Sequence, residues 1–128
     1  MARRRSVPLT EVELRLMEIV WASGPATVGQ IVEAIPEDAR PAYNTVQTMM
    51  KILERKGYVK HRAEGRAFVY SSIVDRDAAA KTALSHVMQR FFGGSPQALA
   101  LNLIEGDQLT EAELDELERT IKRAKDES

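Results

Sequence analysis

The sequence predicts a mainly α-helical fold with one small β-hairpin set between two helical stretches. Three observations carry this. Apolar residues recur at helical spacing over most of the chain. That period gives way once to alternation, around residues 58–71. Boxes of the form Thr-x-x-Glu or Thr-x-x-Gln stand where apolar runs begin, at Thr10, Thr27 and Thr110.

The first helix is expected over about residues 10–22. Thr10 and Glu13 form a capping box, in which the hydroxyl accepts a backbone N–H three residues on and the carboxylate reaches back. Val12, Leu16, Ile19 and Val20 supply its apolar stripe, and Leu9 can staple the first turn. Ser23-Gly24-Pro25 ends it. Thr27 and Gln30 form the second box and open a short helix through Val28, Ile31, Val32 and Ile35, which Pro36 stops. A polar loop with Pro36 and Pro41 follows.

A third helix is expected over about residues 42–56. Val46, Met49, Met50 and Leu53 form its apolar stripe, while Asn44, Thr45, Thr48, Lys51 and Arg55 occupy other faces. Gly57 can close it in the left-handed region, behind two cations that suit a helix C-terminus. Residues 58–62 then read as a strand, Glu64-Gly65 as a turn and residues 67–71 as the returning strand. Phe68 and Tyr70 alternate with Val69, which suits a partly buried hairpin.

The remainder is helical. Residues 77–92 carry Leu84, Val87, Met88 and Phe91 on one stripe and end at Gly93-Gly94. Ser95-Pro96 is an N-cap followed by a proline at the first helical position. A short, nearly all-apolar helix follows through Leu99, Leu101, Leu103 and Ile104, broken by Gly106. Thr110 and Glu113 are the third box, and the last helix carries Leu114, Leu117, Ile121 and Ala124.

Three helices followed by a hairpin are the order of a winged helix-turn-helix. In that architecture the third helix enters the major groove of DNA and the hairpin lies along the backbone. The charge distribution agrees. Residues 1–72 hold 11 Lys and Arg against 8 Asp and Glu, whereas residues 73–128 hold 7 against 11. Residues 40–66 alone hold 7 basic and 2 acidic side chains. A basic unit joined to an acidic one points to a polyanion-binding part and a second part with another task.

Thr45, Gln47 and Thr48 lie early in the third helix, where side chains reach base edges. A glutamine can pair with adenine through two hydrogen bonds, and a threonine methyl can meet a thymine methyl. Tyr43 and Asn44 can contact phosphates at the helix start. Lys51, Arg55, Lys60, Arg62 and Arg66 are the expected phosphate partners, with at least one of them simply solvated. Arg3-Arg4-Arg5 reads equally as an arm reaching a groove or as a solubilising tail.

The three helices after the hairpin are short, and their stripes need a facing surface. One winged helix buries little interface, and two-fold dimers on palindromic sites solve this. A homodimer is therefore expected, with the apolar helix of residues 95–104 between partners. The expected organisation is a basic arm over residues 1–8, a winged-helix DNA-binding domain over 9–73 and a helical dimerisation region over 74–128.

These motifs resemble the penicillinase and methicillin-resistance repressor family. Leu9-Thr10-Glu11, Glu13-Leu14, Met17 and Val20-Trp21 look like its first helix. The run Thr45-Val46-Gln47-Thr48-Met49-Met50, with Leu53 and Lys56-Gly57, looks like its recognition helix, and the run from Glu64 to Tyr70 looks like its wing. The resemblance covers about residues 8–125. It implies a dimeric repressor on a double-stranded operator palindrome, and it assigns Leu84, Val87, Met88, Phe91, Leu99, Leu103, Leu114, Leu117 and Ile121 to the dimer interface rather than to an internal core.

Antibiotic-responsive members of that family are released when a membrane-bound sensor protease triggers cleavage after an asparagine in a short helix. The matching stretch here is Leu101-Asn102-Leu103-Ile104-Glu105. The resemblance thus implies a bond between Asn102 and Leu103 as the cut, and the sensor or a protease downstream of it as a partner. A polar side chain on a helix face is the plainer reading of Asn102. Leu103 stands where the best-known members carry an aromatic residue, and Ile52 where close relatives place an arginine, which implies a different operator.

Other classes are excluded by composition. The chain has 128 residues, enough for one domain with an appendage, and no cysteine. Disulfides, thiol nucleophiles and the cysteine-based copper sensing of one branch of the resembling family therefore fall away. Two separated histidines, His61 and His86, make no metal cluster. No nucleophile–base pair or phosphate-cradling glycine loop is present, so no enzymatic role and no cofactor are expected. No apolar run can span a bilayer, and no apolar segment follows the basic start, so a cytoplasmic protein without membrane insertion is expected.

Overall fold

The computed structural model describes residues 7–128. The Arg3-Arg4-Arg5 arm lies outside the described residues. Helix α1 spans Glu11–Ser23, with Thr10 at its N-cap and the capping box complete. The Thr10 N–H donates to Glu13 Oε1 at 2.9 Å, and the Glu13 N–H donates to Thr10 Oγ1 at 3.2 Å. Gly24 closes the helix at φ 81°, where a side chain would be strained.

The stripe of α1 is turned one position from the expected one. Glu13, Leu16, Met17 and Val20 are buried, at i, i+3, i+4 and i+7, while Val12 is exposed. A carboxylate holds the place expected for valine because Lys56 meets it there, Nζ to Oε1 at 2.7 Å.

A two-residue strand, β1 (Ala26–Thr27), precedes α2 (Val28–Ala34). Thr27 serves both, as the end of the strand and as the N-cap of the helix. Val28 and Ile31 of α2 are buried. A 3-10 turn at Glu37–Ala39 follows. Arg40 folds back on α2, donating to the carbonyls of Ile35 (2.8 and 3.1 Å) and Glu33 (3.2 Å), so its charge closes that helix's C-terminus.

Helix α3 spans Tyr43–Arg55, and its Val46, Met50 and Leu53 are fully buried. Gly57 takes φ 90° and turns the chain into β2 (Val59–Glu64), which pairs antiparallel with β3 (Ala67–Ser72) from Val59↔Ser72 to Glu64↔Ala67. The tight link is therefore Gly65 and Arg66, with Gly65 at φ 62°, rather than Glu64-Gly65.

The sheet has three strands in the order β1-β3-β2, because Ala26 and Thr27 pair with Tyr70 and Val69. As the central strand, β3 buries both Val69 and Tyr70, on opposite faces, while Phe68 stays exposed near the hairpin tip.

Trp21 ties α1 to the chain leaving the sheet. Its indole N–H donates to the Val74 carbonyl (2.9 Å) and to Ser72 Oγ (3.1 Å). The Arg76 guanidinium lies 4.8 Å from the centre of its ring and reaches Glu18 at 3.4 Å. Helix α4 starts at Arg76 and runs to Phe91, followed by α5 (Pro96–Glu105) and α6 (Glu111–Glu127). Ser95 caps α5 with Pro96 just inside it, and Thr110 caps α6 through the third box.

The chain divides into two compact units, the first reaching Leu84 and the second starting at Ser85, within α4. The first holds the core, built from α1, α2, α3, the sheet and Ala79 of α4. Beyond Ala79 no described residue is buried. Among the described residues no helix is long and apolar enough to cross a membrane, and no cluster of metal-ligating side chains occurs.

Candidate nucleic-acid interface

Burial of Val46, Met50 and Leu53 fixes the rotation of α3. The row that points directly away from them is Asn44, Thr48, Lys51 and Arg55, at i, i+4, i+7 and i+11, and all four are exposed. Thr45 flanks this row and is exposed as well. A second row turns towards the hairpin and holds Tyr43, Gln47 and Glu54. Tyr43 is half exposed at the helix start, while Gln47 is partly buried.

Between that second row and the hairpin lies a cleft of about 240 Å³, lined by Thr27, Val28, Tyr43, Gln47, Arg66, Ala67, Phe68 and Tyr70. Gln47 and Arg66, far apart in sequence, thus share one concavity. Thr27 and Phe68 line it too, although the sequence marks them only as a helix cap and a hairpin residue. Beneath, the Tyr70 hydroxyl is pushed above the ordinary phenol range by burial, helped by the charge of Glu54 and by Tyr43.

The basic side chains sort into three groups. Lys51, Arg55, Lys60 and Arg66 are exposed and make no ion pair among the described residues. Arg62 pairs with Glu64 on the same strand at 2.9 Å, an exposed contact worth under about 1 kcal/mol that a phosphate can displace. Lys56 and Arg40 are spent inside the fold, on Glu13 and on α2. Lys60 and Arg62 share one face of β2, and His61 occupies the other.

The second unit presents a contrasting surface. Val87, Phe91, Leu103, Leu117 and Ile121 are exposed, Phe91 at 72%, while Met88, Leu99 and Leu114 are half-buried; Leu84, the last residue of the first unit, is exposed as well. Asn102 and Leu103 are exposed on α5. The Asn102 carbonyl accepts the Gly106 N–H at 3.0 Å, so the backbone there is helical.

A helix with an outward polar and basic row, set beside a basic hairpin on a small three-stranded sheet, defines the winged-helix class. The chain belongs to the penicillinase repressor family, whose model matches residues 9–123. It is 27% identical to the penicillinase repressor of Bacillus licheniformis over 117 residues, which is 91% of each chain. It is 25% identical to the methicillin resistance regulatory protein MecI of Staphylococcus aureus over 120 residues, 93% of this chain and 97% of that one. Among solved structures, it is similar to the DNA-binding domain of the repressor BlaI, with a TM-score of 0.52 and 25% identity, covering 60% of this chain and 93% of that one.

Proposed function

We propose that this chain is a transcriptional repressor that binds a palindromic double-stranded DNA operator as a homodimer. The observation that carries the DNA-binding half is the outward row of α3 beside the Arg66 cleft. A helix of this diameter fits the major groove, and its exposed amide and hydroxyl side chains can read base edges. Lys51, Arg55, Lys60, Arg62 and Arg66 contact phosphates, and Tyr43 and Asn44 anchor the start of α3 to the backbone. Thr45 and Thr48 face bases from the outward side of α3, and Gln47 reaches a base edge from the cleft that it lines together with Arg66.

The homodimer half rests on the second unit. A helical region with no buried side chain and a row of exposed Leu, Val, Ile and Phe is stable when a facing copy covers it. In this reading residues 9–73 bind DNA and residues 74–128 hold the two copies together, in the cytoplasm where operators lie.

The test is a mobility-shift titration on the promoter region upstream of the protein's own gene, with scrambled competitor, at two salt concentrations. Tight, competitor-resistant and salt-sensitive binding is expected. Absence of any binding at low salt would leave a protein-interaction module instead. Arg66→Ala should weaken binding to every sequence and flatten the salt slope by about one unit. An unchanged slope and affinity would remove the hairpin from the interface.

Derepression by proteolysis between Asn102 and Leu103, under a membrane sensor protease or one downstream of it, is supported by their exposure on α5. A protease cleft takes an extended segment, so α5 must unwind around Asn102 before the cut. Intact-mass measurement on the protein from derepressed cells decides between the two readings of Asn102, a fragment ending at Asn102 establishing the cut. A full-length chain in those cells would dismiss cleavage.

A further inference from the structure

We infer that Glu54 and His61 are positioning residues that brace the wing against the recognition helix and so set the specificity of operator binding. The inference rests on the operator-binding reading above. Residues 60–68, which make up most of β2, the turn and the start of β3, are all exposed. This ribbon projects beyond the core with no buried side chain to hold its angle, and two-stranded ribbons are the most easily twisted of sheet structures.

One side chain of α3 hydrogen-bonds to it. Both carboxylate oxygens of Glu54, in the last turn of the helix, lie within hydrogen-bond distance of His61 Nδ1, at 2.8 and 2.9 Å. The His61 ring in turn stacks on Phe68 across the ribbon, with centroids 4.2 Å apart and planes inclined by 27°, and leans against Tyr70 at 5.6 Å. The chain of contact therefore runs from α3 through Glu54 and His61 to Phe68, two residues from Arg66. Both paired side chains are one-third exposed, so the strut lies at the surface and is not needed to fill the core.

Function supplies the second argument. Glu54 is one of only two acids among residues 40–66, within a surface otherwise shaped to meet phosphates. Charge alone makes it unfavourable for DNA binding. A strut gives it a reason to be there. The helix and the wing touch different parts of one duplex, and their contacts add only when the angle between them matches the groove.

Charge and positioning predict opposite results, which makes the test sharp. Operator and scrambled-DNA affinities are measured for Glu54→Ala, Glu54→Gln and Glu54→Asp, with thermal unfolding confirming that each folds. Glutamine keeps the reach and an acceptor for the Nδ1 proton, whereas aspartate keeps the charge and loses a methylene of reach. The expected result is a fall of about tenfold in the operator-to-scrambled ratio for Ala and Asp, within what one lost DNA contact costs, and a ratio near wild type for Gln. His61→Phe, which keeps the stack and removes Nδ1, should lower the ratio similarly, with no further loss in combination with Glu54→Ala. Equal gains in operator and scrambled affinity for Ala and Gln, with Asp unchanged, would show a charge effect only and overturn the inference. A wild-type protein that does not discriminate operator from scrambled DNA would instead remove the reading beneath it.

Discussion

Phe91→Glu is expected to leave the first unit folded and to weaken self-association by about a thousandfold. Phe91 is the most exposed large apolar side chain described, at 72%. In the proposed homodimer it is an aromatic anchor, and truncating such an anchor costs about 2 kcal/mol or more. A two-fold interface counts the substitution twice, and about 4 kcal/mol is three orders of magnitude in a dissociation constant. Operator affinity should drop by at least about a hundredfold, because two linked modules gain that much from binding together. Half-site affinity should stay the same. Sedimentation equilibrium checks the first statement, and titration of full and half sites checks the second. A variant that still sediments as the wild type would place Phe91 outside any interface.

The second large effect is on stability. Lys56→Ala should cost about 2 kcal/mol, below the scale for removing one partner of a fully buried ion pair, because Glu13 is enclosed while Lys56 keeps part of its exposure. Glu13 is 5% exposed and would lose the ammonium that meets it at 2.7 Å. Burial pushes the Glu13 carboxyl up, but its bonds to Lys56 and Thr10 outweigh this and hold it below the ordinary carboxylate range. A carboxyl depressed in the folded state contributes stability that is present above its unfolded value, near pH 4, and lost as the pH falls through the folded one. The wild type should therefore lose this contribution on acidification. The gap between wild type and Lys56→Ala should narrow in acid, because neutral Glu13 no longer needs a cation. Urea unfolding of both proteins at neutral and acid pH reads it directly, and a gap that stays constant with pH would separate the loss from Glu13 ionisation.

Two contacts, Glu13 with Lys56 and Glu54 with His61, are not legible in the chain alone. Local signals were legible. Thr10, Thr27, Thr110 and Ser95 each cap the helix they stand before, because a hydroxyl facing unpaired N–H groups acts within three residues. Val46, Met50 and Leu53 fixed both the existence of α3 and the face it turns outward. Partners distant in sequence were not legible. Strand β1 is two residues long and exists only because β3 offers it a free edge. Glu13 displaced Val12 from the core because a lysine 43 residues away neutralises it. Arg40 counted as one more cation in a basic segment, yet it closes α2. At the candidate interface, the residue types of α3 and the wing could be named, but the cleft joining Gln47 to Arg66 is a product of the hairpin's register.

The chain has one tryptophan, and its position has an optical consequence. Trp21 is half-buried where α1 meets the segment that leads into α4, bonded to Ser72 and Val74 and covered by Arg76. Indole emission is sensitive to polarity and to a cation on its face. The molecule thus carries an unlabelled fluorophore at the root of α4, far in sequence from α5 and α6. Ultraviolet excitation of the intact protein reports whether that root is fastened, with no dye attached and no residue changed.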